Sequence, residues 1–170
     1  MLGVGTGTPL VKIINGKINH IIGTGLGAGT ILGLGKLFDS DISIEKLNEL
    51  GEKGDAKKLN ITVGEIYENS KELFFSPNLT AGNFAKLSSD INIEDKIAGL
   101  MQMVAESLGT LVNAASNSNS LIVIVGGGTF YPLFIRFLRK TLEYYGLKSV
   151  VPQKALYANC YGALFNFGIK

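Results

Sequence analysis

The chain has 170 residues, 46% of them hydrophobic and 18% charged, which is enough to bury one domain's core and far from a disordered composition. Its net charge of +2 is too near neutral for nucleic-acid binding. The single cysteine, Cys160, excludes a disulfide framework and a cysteine zinc site and fits a reducing compartment.

Met1 to Gly5 reads as a short apolar strand, with no basic segment and apolar run of a secretion signal. Leu10 to Ile14 and Lys17 to Ile22 read as two further strands. Between them Asn15-Gly16 is the two-residue pattern of a type I′ turn, whose central positions both need positive φ. A three-stranded antiparallel meander is therefore expected. The uncharged stretch from Ile18 to Gly35 is broken by His20 and many glycines, so no membrane span is expected.

Gly23 to Thr30 follows, then a helix from about Ile31 to Phe38. Ser43 caps a second helix, Ile44 to Lys53, ended by Gly54. Residues 55 to 90 are mixed and polar, with a short apolar piece from Ile61 to Tyr67. Asn92 caps a long helix from Ile93 to about Ala115, whose Ile97, Leu100, Met101, Val104, Leu108, Leu111 and Val112 keep helical spacing. After a polar break at 117–120, Leu121 to Val125 reads as a buried strand. Three glycines and then Pro132, placed for a helix start, open a helix running to Tyr145. Lys148 to Pro152 reads as a strand and Leu156 to Phe167 as a final helix. The expected fold class is α/β.

The 22 glycines cluster at 3–7, 23–35 and 126–128. A glycine-rich turn entering a helix can present several N–H groups to a phosphate, with the helix dipole adding positive potential. Gly23 to Thr30 fits that chemistry. It is not a Walker A loop, because no Gly-Lys-Ser/Thr follows. It is not a dinucleotide fingerprint, because the strands before it form a hairpin. A tight strand-to-helix corner is the alternative reading. Gly5-Thr6-Gly7-Thr8 and Gly126-Gly127-Gly128 are two more such turns.

Taken in order, these motifs resemble the second lobe of type II pantothenate kinases. The resemblance rests on Val4-Gly5-Thr6-Gly7-Thr8, on Gly23-Thr24-Gly25-Leu26-Gly27-Ala28-Gly29-Thr30 with Ile31 to Leu34, on Gly54-Asp55, and on Val63 to Tyr67. It continues through Leu79-Thr80-Ala81-Gly82-Asn83-Phe84, Glu94-Asp95-Lys96, Ile124-Val125-Gly126 and Gly162-Ala163-Leu164. It implies a ribonuclease H-like lobe of the actin-like ATPase fold, here a single domain, with the family's first lobe outside this sequence. It implies phosphorylation of pantothenate by ATP with Mg²⁺ on the route to coenzyme A. Gly23, Thr24, Gly25, Leu26, Gly27, Ala28, Gly29 and Thr30 would wrap the ATP phosphates. Gly126, Gly127 and Gly128 would lie near adenosine. Gly5, Thr6, Gly7, Pro9 and His20 would face pantothenate or acyl-CoA. The first lobe carries the family's metal-associated aspartate and its glutamate base, so no catalytic residue and no metal ligand is expected in this chain. A homo- or heterodimer with a pantothenate kinase chain is implied, with cytoplasmic localisation and the nucleus as a second compartment.

Four departures stand out: Pro9 where the family has a serine, His20 where it has an arginine, Asn60 where aspartate is common, and Asn159-Cys160-Tyr161 ahead of Gly162-Ala163. Three readings follow: the nucleotide-binding lobe of a pantothenate kinase, a non-catalytic paralogue that pairs with an active kinase, and another actin-like kinase such as an N-acetylhexosamine kinase. Simpler roles are expected elsewhere. His20 reads as a locally hydrogen-bonded strand residue, Cys160 as a core thiol, and Tyr157 and Tyr161 as packing. Arg136, Arg139 and Lys140 read as a solvated face with Glu143 as partner. Most of the stripe on the long helix reads as core packing, and the resemblance implies that part of this helix serves as a dimer interface.

Overall fold

A computed structural model describes residues 1–67, 76–117 and 120–166. It contains β1 (Leu2–Gly3), β2 (Thr8–Ile14), β3 (Lys17–Thr24), α1 (Ala28–Phe38), α2 (Ile44–Lys53), β4 (Ile61–Thr62) and α3 (Val63–Ile66). It continues with β5 (Thr80–Gly82), α4 (Ile93–Ala115), β6 (Leu121–Val125), α5 (Pro132–Tyr144), β7 (Lys148–Val150) and α6 (Ala158–Asn166). The main sheet has five strands in the order β3-β2-β1-β6-β7. β1 pairs antiparallel with β2, and β2 with β3. β6 pairs parallel with β1, and β7 parallel with β6. A meander on one side and parallel crossover strands on the other make the ribonuclease H-like arrangement that the motifs imply.

The hairpin turn follows from its two residues: Asn15 and Gly16 have φ of 50° and 76°, the left-handed pair of a type I′ turn. Ser43 and Asn92 cap their helices as expected, each side chain accepting the N–H three residues on. α4 packs against α1, α2 and α5. Its Ile97, Leu100, Met101, Val104 and Leu108 are fully buried with Leu2, Ile124, Phe134 and Leu138, each such side chain contributing about 1.5–3 kcal/mol of burial. Most of the apolar stripe of α4 is thus core, and half-buried Met103 packs against it, while Leu111 stays half-buried outside that cluster.

A two-stranded flap, β4 with β5, is tied to α4 by a polar chain. Asn60 is buried; its Oδ1 accepts Phe84 N–H at 2.9 Å and its Nδ2 donates to Gln102 Oε1 at 3.3 Å. Gln102 Nε2 donates to Glu106 Oε1 at 2.7 Å, and Glu106 Oε2 accepts Thr80 N–H at 3.0 Å. Asparagine both donates and accepts here, and an ionised aspartate would lose the donor. Lys86 and the Thr62 N–H and hydroxyl hold the Glu65 carboxyl down to about 2, which fixes the flap's outer end.

Several expectations need correcting. α1 begins at Ala28, three residues before Ile31, because Gly27 already accepts the first helical N–H bonds. β1 stops at Gly3 and β7 at Val150. Leu121 opens its strand 59% exposed. The last helix starts at Ala158 after a 3₁₀ turn, Ala155–Tyr157; Phe167 lies outside the described residues. No residue of α6 is buried. Cys160 is therefore an exposed thiol and not a core one. Tyr157 and Tyr161 are exposed, with Lys154 Nζ 4.4 Å from the Tyr161 ring centre. Arg136 pairs with Glu52 at 2.7 Å and not with Glu143.

Candidate functional site

Strand direction brings the three glycine-rich turns to one edge of the sheet. β1 and β6 are parallel and end at Gly3 and Val125, while β2 begins and β3 ends at that same edge. In open α/β sheets this carboxyl edge is where ligands sit. Two consecutive residues, Val4 and Gly5, touch both of the other turns. The Gly5 carbonyl accepts Ala28 N–H at 2.8 Å, and the Val4 carbonyl accepts Gly128 N–H at 2.8 Å. Val4 N–H in turn donates to Val125 O at 2.8 Å.

Hydroxyl groups shape the turn that enters α1. Thr24 Oγ1 accepts Leu26 N–H at 3.2 Å. Thr30 Oγ1 accepts Gly27 N–H at 3.2 Å and donates to the Gly25 carbonyl at 3.0 Å. Among the described residues, no hydrogen-bond partner is found for the N–H groups of Gly25 and Gly29. Free N–H groups at the start of an eleven-residue helix are suited to anionic oxygens.

The glycines here fall into two groups. A Cβ on Gly27 would lie 2.6 Å from Gly5 O, and one on Gly29 would lie 2.8 Å from Thr6 Cγ2. Those two are required by the packing of α1 on the first turn, so the corner reading holds for them. A Cβ on Gly25 or on Gly127 would meet nothing within 4 Å, and both residues are exposed. Neither packing nor a positive φ accounts for those two.

Thr8, at the start of β2, belongs to the glycine-rich Gly5–Thr8 turn but has no role of its own in the sequence reading. Its Oγ1 is buried without a partner among the described residues, and it lies 3.1 Å from the Cβ position of Gly27. Leaving such a group unpaired costs about 1–3 kcal/mol. The Thr8→Val chain is expected to be more stable by about 1 kcal/mol, read as a higher urea midpoint at unchanged slope; a lower midpoint would mean the hydroxyl has a partner in solution. Asn48 of α2 was likewise not foreseen. Its Nδ2 donates to Phe130 O at 3.0 Å and anchors the turn after β6. Only a polar residue at an otherwise helical position hinted at it. Beside it, burial and then the Glu45 carboxylate push the Tyr131 hydroxyl up.

Pro9 lies at that edge, one residue into β2, whereas His20 pairs with Val11 in the middle of β3, its Nε2 3.6 Å from the Cβ position of Gly23; both are exposed. The His20 imidazole makes no hydrogen bond among the described residues, contrary to the locally bonded reading. Residues 3–9, 23–30 and 126–131 carry no charged side chain. Among the described residues no group of three His, Cys, Asp or Glu could hold a metal. The turns offer hydroxyl and backbone groups but no carboxylate, so they do not fit a resident Mg²⁺ ion of their own.

The whole arrangement matches solved structures of actin-like ATPase-fold proteins. The activator of the 2-hydroxyisocaproyl-CoA dehydratase from Clostridium difficile, solved with bound ADPNP, superposes with a TM-score of 0.58 at 17% identity, covering 99% of this chain and 62% of that one. Xylulose kinase from Rhodospirillum rubrum gives 0.56 at 13%, covering 91% and 35%. The chain is thus a ribonuclease H-like lobe of the actin-like ATPase fold. A family model described as Fumble matches residues 1–164, and the chain belongs to that family. It is 34% identical over 131 residues to the type II pantothenate kinase of Oceanobacillus iheyensis (75% of this chain, 48% of the relative). It is 31% identical over 152 residues to pantothenate kinase 1 of Arabidopsis thaliana (84% and 39%). The chain therefore spans about half or less of the length of these relatives. Among the described residues no helix is long and apolar enough to cross a membrane.

Proposed function

We propose that this chain is the second, nucleotide-binding lobe of a pantothenate kinase, and that it transfers phosphate only when a first lobe closes the cleft. The observation that carries this is the convergence of three glycine-rich turns at the carboxyl edge, with Gly25 and Gly127 left open without a structural reason. Gly23 to Thr30 holds the ATP phosphates through N–H groups at the start of α1. Gly126 to Gly128 flanks adenosine. Gly5, Thr6, Gly7, Pro9 and His20 face pantothenate or acyl-CoA. Mg²⁺ arrives with the nucleotide and takes its protein ligands from the other lobe, as does the reacting pantothenate hydroxyl its base. The protein works in the cytoplasm, with the nucleus as a second compartment, as a dimer with a pantothenate kinase chain.

Phosphoryl transfer is mostly positioning and charge stabilisation from both sides of a cleft, so one lobe should bind without turning over. The test is calorimetric titration of Mg-ATP into the chain, alongside a pantothenate phosphorylation assay with and without a full-length relative from the same cells. Binding without turnover alone, and added turnover in the mixture, is the expected pair of results. Absence of Mg-ATP binding in both settings sinks the nucleotide reading. Binding with no gain of turnover supports the second reading, a non-catalytic partner, which the missing donor at Pro9 favours.

A further inference from the structure

The turn after β6 carries an aromatic ring that the fold does not use. Phe130 is 45% exposed and lies outside the core cluster. A lone exposed apolar side chain needs no explanation by itself, but this one is held in place. Gly127–Phe130 form one 3₁₀ turn. Thr129 Oγ1 donates to the Gly126 carbonyl at 2.7 Å, and Tyr131 N–H donates to the Gly128 carbonyl at 3.2 Å. Asn48 Nδ2 reaches across from α2 to the Phe130 carbonyl at 3.0 Å. In a 3₁₀ turn, residues three apart stand one above the other. Phe130 therefore shares a side of the turn with Gly127, the exposed glycine whose Cβ position is empty. Bare backbone and an exposed ring lie in line there, a strip that a sugar and a flat base can cover.

Around this strip the polar side chains are already engaged. The Thr129 hydroxyl holds Gly126, and Tyr131 is turned into the core, 2% exposed. Asn48 Nδ2 is committed to Phe130, and its Oδ1 is buried from solvent and so out of a ligand's reach. The charged side chains of α2 are engaged too. Glu49 pairs with Lys46 at 3.1 Å and with Lys53 at 2.7 Å, and Glu52 pairs with Arg136 of α5 at 2.7 Å. The Glu45 carboxyl is held below its usual range by its own backbone N–H and by Ser43. None of these groups offers a free donor or acceptor to the edge of a base.

We propose that the Phe130 ring is the platform on which the base of the bound nucleotide stacks, and that this lobe takes purine nucleoside triphosphates without distinguishing adenine from guanine. This rests on the nucleotide-binding reading of the same edge. Adenine and guanine differ in the donors and acceptors along their edges. A site that hydrogen-bonds such an edge rejects the wrong partner by orders of magnitude, whereas a stacking face tolerates any base. With its edge-reading groups engaged, the turn holds the base by its face.

The test titrates Mg-ATP, Mg-GTP and magnesium tripolyphosphate separately into the full chain. The series is repeated with Phe130→Ala, Phe130→Leu and Phe130→Trp. Thermal melts check folding, and Phe130→Leu keeps apolar bulk without the ring should the alanine variant not fold. The wild type should bind Mg-ATP and Mg-GTP within about tenfold of each other, the spread that stacking strength leaves. Tripolyphosphate should bind about tenfold or more weakly than either, as for the loss of one stacked base. The folded variants without the ring should lose that advantage for both nucleotides and leave tripolyphosphate unchanged, and Phe130→Trp should keep it. A wider gap between Mg-ATP and Mg-GTP would mean that a side chain reads the base edge, and it overturns the inference. Unchanged nucleotide affinity in the variants without the ring overturns it too. Either result leaves Mg-ATP binding, and with it the lobe reading, standing. No binding of any probe overturns the inference together with the reading it rests on.

Discussion

The Gly126→Ala chain is expected to lose about 3 kcal/mol of stability, the sum of a backbone and a packing cost. Gly126 has φ of 98° and ψ of −177°, a region that side-chain-bearing residues essentially do not occupy. Its added Cβ would also lie 2.6 Å from Val4 O and 3.1 Å from Val4 C. Those are backbone atoms of the central strand's exit and cannot swing aside as a flexible side chain can. Moving them would disturb the Val4 O to Gly128 N–H and Val4 N–H to Val125 O bonds together. Equilibrium urea unfolding reads the loss, and Gly127→Ala is the internal control. Its Cβ meets nothing within 4 Å, so its stability should stay within about 0.5 kcal/mol of wild type. Equal stability of the two variants would mean that the turn is not seated on Val4.

The second large effect is on binding and leaves the fold alone. Gly25 is exposed, its Cβ position is free, and its carbonyl, not its side, is what Thr30 holds. Gly25→Glu should melt within about 2 °C of wild type, as exposed substitutions do. Yet it sets a carboxylate among the N–H groups that would receive the phosphates. Like charges about 5 Å apart at a protein surface repel by about 3 kcal/mol, a loss of about a hundredfold in affinity for Mg-ATP. Gly25→Ala separates bulk from charge and should cost far less. Unchanged Mg-ATP affinity in the glutamate variant would move the phosphates away from this turn, whatever the fold.

The contrast between these glycines shows where sequence reasoning stopped. Clustering after apolar strands picked out all three turns, because the need for close approach is written in residue type. Which atoms approach is not. Gly27 and Gly29 serve the packing of α1 on Gly5 and Thr6, while Gly25 two residues earlier serves nothing internal, and the spacing is the same for both. Asn15-Gly16, Ser43 and Asn92 were legible because turn and cap chemistry is local. The exposure of Cys160, Tyr157 and Tyr161 was not, because a helix pattern does not say whether a second surface is there to cover it. The register shift between Leu10 and Val11, which leaves Ile21 as an extra residue in β3, left no trace in composition. Asn48 needed the fold to bring residue 130 beside α2.

The centre of the sheet also sets an order of events during synthesis. β1 is two residues long, and its parallel partner β6 lies far along the chain, with Leu2 opposite Ile124. At about 5–20 residues per second on the ribosome, roughly 6–24 s pass between the two. Meanwhile the β2–β3 hairpin, whose Ile13, Ile14, Ile18, Ile21 and Ile22 stay exposed even in the finished fold, is out and unpaired at one edge. Slow, long-range closure with an apolar hairpin waiting is a setting for chaperone capture and for mispairing between nascent chains. Yield on expression should accordingly respond to growth temperature and chaperone supply more steeply than the stability of the folded protein would suggest.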